Sequence, residues 1–395
     1  MSKIKIIDSM MGTGKTSWAI DYMNENKDKK FIYITPYLSE IERIKNSCSN
    51  RKFYDPINVG KGKLDSFNKL LLQGKDIVST HALFKMSTDE TRELIASNDY
   101  TLILDEVMDV LQEVELEKDD LNAMLELKLI DVSDTGLVSW NEEKQDYSSR
   151  YNDIKLMCKN KSLFLVNNCL FMWTFPVNTF TSFKDVFVLT YLFDGQIQRY
   201  YYDLYDLQYE YQSVTNKDGN YYLCDYIEKY DMSKIRSLVN ILNDDKLNAI
   251  GEEEYALSKS WFSKKKLLVQ QLQKNVYNYF FNKTKSKAKD NMWVTFKSHK
   301  TSLAGKGYTK GFVSLGCRAT NDYADKSCMA YCANVFLNPM VEHFFHQHGV
   351  KVDEDTYALS EMLQWIWRGR IRKGESINIY IPSSRMRNLF IEWLK

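Results

Sequence analysis

The chain is short of the features that mark several protein classes. Five prolines in 395 residues, with no glycine–serine tract, leave no extended linker, so any domains join through short or structured connections. Seven scattered cysteines, none in a Cys-x-x-Cys pair, do not form a disulfide framework and fit a reducing compartment. No run of 18 apolar residues occurs, so no membrane-spanning helix and no membrane partner are expected. The first apolar run starts within a few residues of Met1, which argues against a signal peptide. A net charge of +1 gives no global field for polyanions. Internal repeats and low-complexity tracts are absent as well. The length suggests about two to three domains, and 44% hydrophobic with 27% charged residues is ordinary globular material.

Against that plain background one stretch stands out: "SMMGTGKTSW", Ser9 to Trp18. Before it, "KIKIID" alternates like a strand. After it, "TSWAIDYMNEN" has helical apolar spacing. Gly12 and Gly14 in a strand-to-helix turn allow backbone angles that aim successive N–H groups at an anion, with Thr13 between them. The helix start adds its free N–H groups and dipole. Lys15 brings a mobile charge to outer phosphates, and Thr16 offers a hydroxyl to Mg²⁺. The first position of the usual phosphate-loop pattern is Ser9 instead of glycine. The turn is expected to hold ATP with Mg²⁺.

A phosphate loop needs a partner that holds the metal and orients a water. "YTLILDEVMDV" supplies a buried-strand run ending in Asp105 and Glu106. A carboxylate at the carboxyl end of such a strand lies beside the loop in a doubly wound sheet. Asp105 is the expected magnesium ligand and Glu106 the expected catalytic base. Between the two elements, one strand ends in Thr35 and Pro36 and another in Ser79, Thr80 and His81. Alternating strands and helices argue for a parallel sheet. Hydroxyls at its carboxyl edge can hydrogen-bond a nucleic-acid backbone, so Thr35, Pro36, Thr80 and His81 are candidate contacts.

This order of GxGKT, TP, STH and DE resembles the first RecA-like domain of superfamily 2 (DEAD-like) helicases. The far end agrees: "SEMLQWIWRGRIRKGESINIYIP" resembles motif VI through Gln364, Arg368, Arg370 and Arg372. "VLTYLFDGQ" (188–196), "WVTFKSHK" (293–300) and the stretch 307–339 resemble motifs III, IV and V of a phage-encoded branch related to replication and origin-binding helicases. The resemblance covers most of the chain, with gaps near 115–185 and 197–290.

The resemblance implies an α/β fold of two tandem RecA-like domains (the P-loop NTPase fold), about 1–195 and 215–395. It implies a Mg²⁺-dependent ATP hydrolase that moves along or unwinds nucleic acid, with single-stranded or forked DNA as partner, RNA as another track, and phage or host replication proteins nearby. Cytoplasmic location, in the host if the protein is viral, goes with it. Gln364, Arg368 and Arg372 would sense and stabilise the γ-phosphate, Arg370 would join the nucleotide contacts, and Lys297 would touch nucleic acid. A guanidinium suits this task because it is planar, always charged and bidentate. The sequence departs from the pattern at Met108, where the DE box usually carries Asp or His, and no adenine-reading motif is expected ahead of the loop.

Other features admit plainer readings. From Lys259 to Lys310 there are thirteen lysines and one acid, Asp290, which reads as a solvated helix face or a phosphate-facing patch. Cys317, Cys328 and Cys332 with His343, His346 and His348 could hold zinc, but core cysteines and a polar helix are the better reading. "RYYYDLYDLQYEYQ" (199–212) reads as an amphipathic hairpin. The stretches 137–147 and 162–176 read as strands of an inserted β-hairpin within about 125–180, a shape that can act as a strand-separating wedge. The alternatives to a motor are an ATPase that remodels protein–DNA complexes or loads another protein without unwinding, and a small-molecule kinase. The arginine set argues against the kinase.

Overall fold

A computed structural model describes residues 3–58, 60–147, 150–316 and 321–395. The chain divides into two compact units. The first comprises residues up to Ser9, Gly14–Tyr226 and Asn338–Val352. The second comprises Met10–Thr13, Ile227–Leu337 and Asp353–Lys395. This differs from a single cut near residue 200. Residues 215–226 belong to the first unit because they pair with its sheet, and 338–352 because Phe344 and Phe345 pack into its core.

The first unit is built on an eight-stranded sheet. Its strands are β1 (Lys3–Asp8), β2 (Lys30–Thr35), β3 (Phe53–Tyr54), β4 (Asp76–Thr80) and β5 (Tyr100–Asp105). An insertion then contributes β6 (Leu111–Val114), β7 (Ile130–Val132), β8 (Val138–Trp140), β9 (Leu163–Val166) and β10 (Leu170–Thr174). The sheet is completed by β11 (Asp185–Thr190), β12 (Tyr209–Lys217) and β13 (Asn220–Asp225), in the order β13-β12-β1-β11-β5-β2-β4-β3. All pairings are parallel except β12 with β13. β5 and β11 are apolar on both faces because helices cover both sides of a parallel sheet. The two faces are separate cores. One holds Ile6, Ile32, Leu102, Leu104 and Val188; the other holds Trp18, Met23, Tyr33, Ile103 and Phe187. Helix α1 (Lys15–Glu25) buries Trp18, Ala19, Ile20 and Met23, as its spacing predicts.

The hairpin expected between 137–147 and 162–176 is not formed as such: 162–176 folds into a hairpin of its own, β9 with β10, β8 pairs with β7, and one bridge, Leu137 to Phe164, links the two stretches. β10 pairs antiparallel with both β9 and β6, and β7 pairs with β8. Leu121, Met124, Trp140, Ile154 and Phe171 give this insertion its own small core. The tyrosine-rich stretch is a correction to the sequence reading. Its first half is not a strand but the helix Ile197–Leu204, and only Tyr209 onward is extended. Gln198 and three consecutive tyrosines are buried on this helix, while Arg199 and Asp203 stay partly exposed. Tyr200 packs edge-on to Phe345, the Tyr201 hydroxyl donates to Phe175 O (2.7 Å), and the Tyr202 hydroxyl accepts from Gln198 Nε2 (2.8 Å). Tertiary partners for three adjacent tyrosines override alternation as a strand signal.

The second unit carries a four-stranded parallel sheet: β14 (Val239–Ile241), β15 (Asn291–Val294), β16 (Cys328–Tyr331) and β17 (Ile377–Tyr380), ordered β14-β17-β16-β15. Trp293, Leu272, Val276, Tyr279, Tyr308 and Tyr380 lie in its core. Next to β15, the stretch 311–315 contributes one bridge, Phe312 to Trp293. Trp365 and Trp367 are both buried: Trp365 Nε1 donates to Val313 O (3.0 Å) and Trp367 packs edge-on to Trp393.

Candidate active site

Strand register lines up the chemistry of the first unit. Asp8 pairs with Thr190 and Leu189 with Asp105, while Thr35 pairs with Thr80. The carboxyl ends of β1, β11, β5, β2 and β4 therefore form one edge. That edge carries Asp8, Thr190, Asp105, Thr35 and Thr80 in order. In an open parallel sheet this is where ligands bind, because crossovers leave a crevice there.

The loop after β1 is shaped by two glycines in the left-handed region, Gly12 (φ 86°) and Gly14 (φ 96°). A Cβ at Gly12 would meet nothing within 4 Å, so this position opens onto free space. Thr13 closes the turn, its Oγ1 donating to Met10 O (2.8 Å). α1 then begins at Lys15, leaving the first N–H groups of the helix without intrahelical acceptors. Lys15 Nζ bonds back to Ser9 O. Burial pulls the Lys15 ammonium below the ordinary lysine range, and Glu106, Asp8 and Asp105 oppose it. A phosphate or other anion would fit this loop: the glycines, open space, the helix N-terminus and the lysine converge there.

The acidic turn faces it. Burial pushes the Asp105 carboxyl up to about 7, with Glu106 and Glu40 adding repulsion, while the Tyr33 hydroxyl and Lys15 pull the other way. Glu106 has φ 65°, a left-handed angle rare for a residue with a side chain, and its N–H donates to Leu189 O (3.0 Å). The donor set suits Mg²⁺, a hard cation that takes oxygen ligands and keeps several waters. Thr16, half-buried in the first turn of α1, is the hydroxyl available on the loop side.

The remaining expected residues fall out unevenly. Thr35 is fully buried. His81 is buried too, with Nε2 3.0 Å from Asp105 O, so it braces the acidic turn. Their side chains are internal parts of the sheet edge. Pro36 and Thr80 are half-exposed, and the Thr80 hydroxyl caps the next short helix by accepting from Leu83 N. In the second unit, Gln364 is half-buried on the helix Glu354–Ile366. That helix stops at Ile366, and Arg370 and Arg372 lie on the tight turn Arg370–Lys373. Gly369 precedes this turn, where a Cβ would overlap Met329 Cε at 1.7 Å. Arg368 is 8% exposed, and its Nη1 has no hydrogen-bond partner among the described residues. Arg370 Nε donates to Ser376 O (2.6 Å) and faces Glu375; Arg372 and Lys297 are exposed. Cys328 and Cys332 are core residues, and Cys317, also within the motif V stretch, lies outside the described residues.

Three residues that matter here are not evident from sequence. Asp8 is buried and accepts from Leu192 N (3.0 Å) and Phe193 N (2.8 Å), tying the end of β1 to the loop after β11. Burial holds its carboxyl above the usual range. Gln198 accepts from Met108 N (2.8 Å), so the acidic turn is secured through its main chain where the sequence departs from the helicase pattern. Ser9 Oγ, fully buried, accepts from Val214 N (2.8 Å) and ties the loop to β12. Only Ser9 left a trace in the sequence, as the departure from glycine.

With this geometry in place, the fold is matched by solved structures along the whole chain. The apo form of XPD gives a TM-score of 0.52 at 10% identity, covering 99% of this chain and 95% of that one. Xpd4 of S. tokodaii gives 0.52 at 12% identity, covering 99% and 94%. The architecture is thus the tandem RecA-like fold of these XPD structures. Two family models match within the chain: the YonV middle domain over 111–173, which is the insertion, and the YonV C-terminal Rossmann-like domain over 233–394. The SPbeta prophage-derived uncharacterized protein YonV of Bacillus subtilis (strain 168) is 46% identical over 409 residues, covering 100% of this chain and 99% of the relative. The chain belongs to the YonV family.

Proposed function

We propose that this protein is an ATP-dependent nucleic-acid translocase or helicase of the superfamily 2 type, working in phage DNA replication in the host cytoplasm. The observation that carries the reading is the convergence, on one sheet edge, of Lys15 with Asp105 and Glu106 behind a loop opened by Gly12 and Gly14. Gly12, Thr13, Gly14, Lys15 and Thr16 would hold the phosphates, and Thr16 and Asp105 would hold Mg²⁺. The metal, when bound, would neutralise charge on the transferred phosphate. Glu106 would take a proton from the attacking water. Of the motif VI set, Gln364, Arg368 and Arg372 are assigned to the γ-phosphate and Arg370 to the nucleotide. The buried, unpartnered Nη1 of Arg368 supports this, since such a group is costly unless an acceptor arrives.

For the nucleic acid, the supporting features are the half-exposed Pro36 and Thr80, the exposed Lys297, and the basic stretch around it. Within that stretch Tyr277 and Phe281 stack at 5.2 Å and 13°, with Phe281 62% exposed. An aromatic pair among lysines suits bases that are not paired. Thr35 and His81, being buried, would shape this edge from within.

The test is ATP hydrolysis with and without single-stranded DNA, forked DNA and RNA, alongside Glu106→Gln. Hydrolysis rising several-fold with one of these, and falling about a hundredfold or more in Glu106→Gln, is the expected result. Stimulation by DNA with no strand separation would instead favour remodelling or loading of protein–DNA complexes. Hydrolysis indifferent to every nucleic acid would remove the motor reading.

A further inference from the structure

The β12–β13 hairpin is attached to the phosphate loop more firmly than sheet pairing requires. β12 runs parallel to β1, with Ile4 opposite Tyr209 and Ile7 opposite Gln212. At the end of β1 two side-chain bonds add to the ladder: Ser213 Oγ donates to Asp8 O (2.8 Å), and Ser9 Oγ accepts from Val214 N (2.8 Å). The hairpin then returns along β13 and lays the Tyr221 ring on Gly14. A Cβ built at Gly14 would lie 2.0 Å from Tyr221 Cε1 and 2.3 Å from Cδ1. Gly14 is therefore fixed twice, by its φ of 96° and by the ring against it. The serine that replaces the usual first glycine is the residue that anchors the element carrying that ring.

The sheet order gives this contact a direction. β11 flanks β1 on one side, and β5 with Asp105 and Glu106 lies beyond it; β12 and β13 lie on the other side. A triphosphate lying across the loop, with its terminal phosphate toward those carboxylates, leaves its nucleoside on the hairpin side. The ring there is half-exposed and packs on the α1 face of the sheet. We infer that Tyr221 is the nucleoside-contacting residue of this site, stacking on the base of the bound triphosphate. This rests on the nucleotide reading above. Every base offers a π-face, so a stacking contact reads the presence of a base rather than its identity. The triphosphate specificity that follows is broad: a purine or pyrimidine is held, and no single base is selected at this point.

Binding to the full-length protein separates the ring's role from the loop's. Displacement of a fluorescent ATP analogue would be followed with ATP, GTP, CTP, UTP and inorganic tripolyphosphate, for wild type, Tyr221→Phe, Tyr221→Leu and Tyr221→Ala. The expected result is a loss of about tenfold or more for all four nucleotides in the Leu and Ala variants. Tyr221→Phe should stay within about twofold of wild type, and tripolyphosphate affinity should be unchanged throughout. A parallel loss for tripolyphosphate would overturn the inference, because the ring would then act by holding the loop's shape. Unchanged nucleotide affinity in both Leu and Ala variants would overturn it too, while leaving the nucleotide site itself standing. Wild-type protein that binds neither ATP nor tripolyphosphate would instead refute the nucleotide reading, and this inference with it.

Discussion

Glu106 holds a left-handed backbone angle at the point where the proposed chemistry needs a base. Strain of this kind costs on the order of 1 kcal/mol or more and persists only where the surroundings enforce it. Here they do: its N–H is pinned to Leu189 O, and the preceding carbonyl meets His81. Replacing Glu106 with glycine removes both the strain and the carboxylate. Glu106→Gly is therefore expected to be as stable as wild type or more so, with a melting midpoint about 2–4 °C higher, yet inactive in ATP hydrolysis. Thermal denaturation and a phosphate-release assay on the same sample check both halves. A fall in stability would mean that the angle is not strained in solution.

Among the elements, the acidic turn depends on neighbours far away in sequence. Its Met108 N–H is buried and satisfied by Gln198, whose amide nitrogen is spent on Tyr202. Gln198→Leu keeps the volume and removes the acceptor, leaving a buried donor unpaired at about 1–3 kcal/mol. The expected outcome is a melting midpoint lower by roughly 2–6 °C, and slower hydrolysis as the Asp105–Glu106 turn loosens. Scanning calorimetry and steady-state kinetics on that variant would show it. A stable variant with reduced activity would place the bond in positioning alone; an unchanged one would remove it from both roles. The insertion at 111–173 shows the same dependence on context. The stretches 137–147 and 162–176 are readable as extended, while β6 and β7 are not, and the independent core emerges only when Leu121, Ile154 and Phe171 meet.

For the molecule as a whole, charge is placed rather than accumulated. A net charge of +1 conceals thirteen lysines against one acid between 259 and 310. Lys264, Lys265, Lys266 and Lys274 are exposed in this section. Changing these four to glutamine is expected to weaken nucleic-acid binding evenly across sequences. It should also flatten the dependence of log K on log salt by about one for each phosphate that is no longer neutralised. Binding isotherms over a salt series measure this, and basal hydrolysis without nucleic acid should not change. An unaltered slope would identify the patch as an ordinary solvated face.

What the sequence determined by itself is local. A strand, a glycine turn and a helix are contiguous, so Gly12 to Thr16 could be read directly, and so could the apolar run that ends in Asp105 and Glu106. Short-range sterics and periodicity carry that information. Tertiary structure alone decided the rest. Thr35 and His81 look like surface groups in the strand-end pattern, but Thr35 is buried at the end of β2 beside Thr80 of β4, and His81, on the short helix after β4, is buried with its Nε2 3.0 Å from Asp105 O. The stretch 199–212 alternates well enough for strands, yet its first part is a helix on which Tyr200, Tyr201 and Tyr202 are all buried against partners distant in sequence. Asp8, Gln198 and Tyr221 gain their roles from residues far along the chain: Asp8 from Phe193, Gln198 from Met108, Tyr221 from Gly14. A side chain's spacing along the chain fixes the face it can present, while what meets that face depends on which strands the sheet brings together.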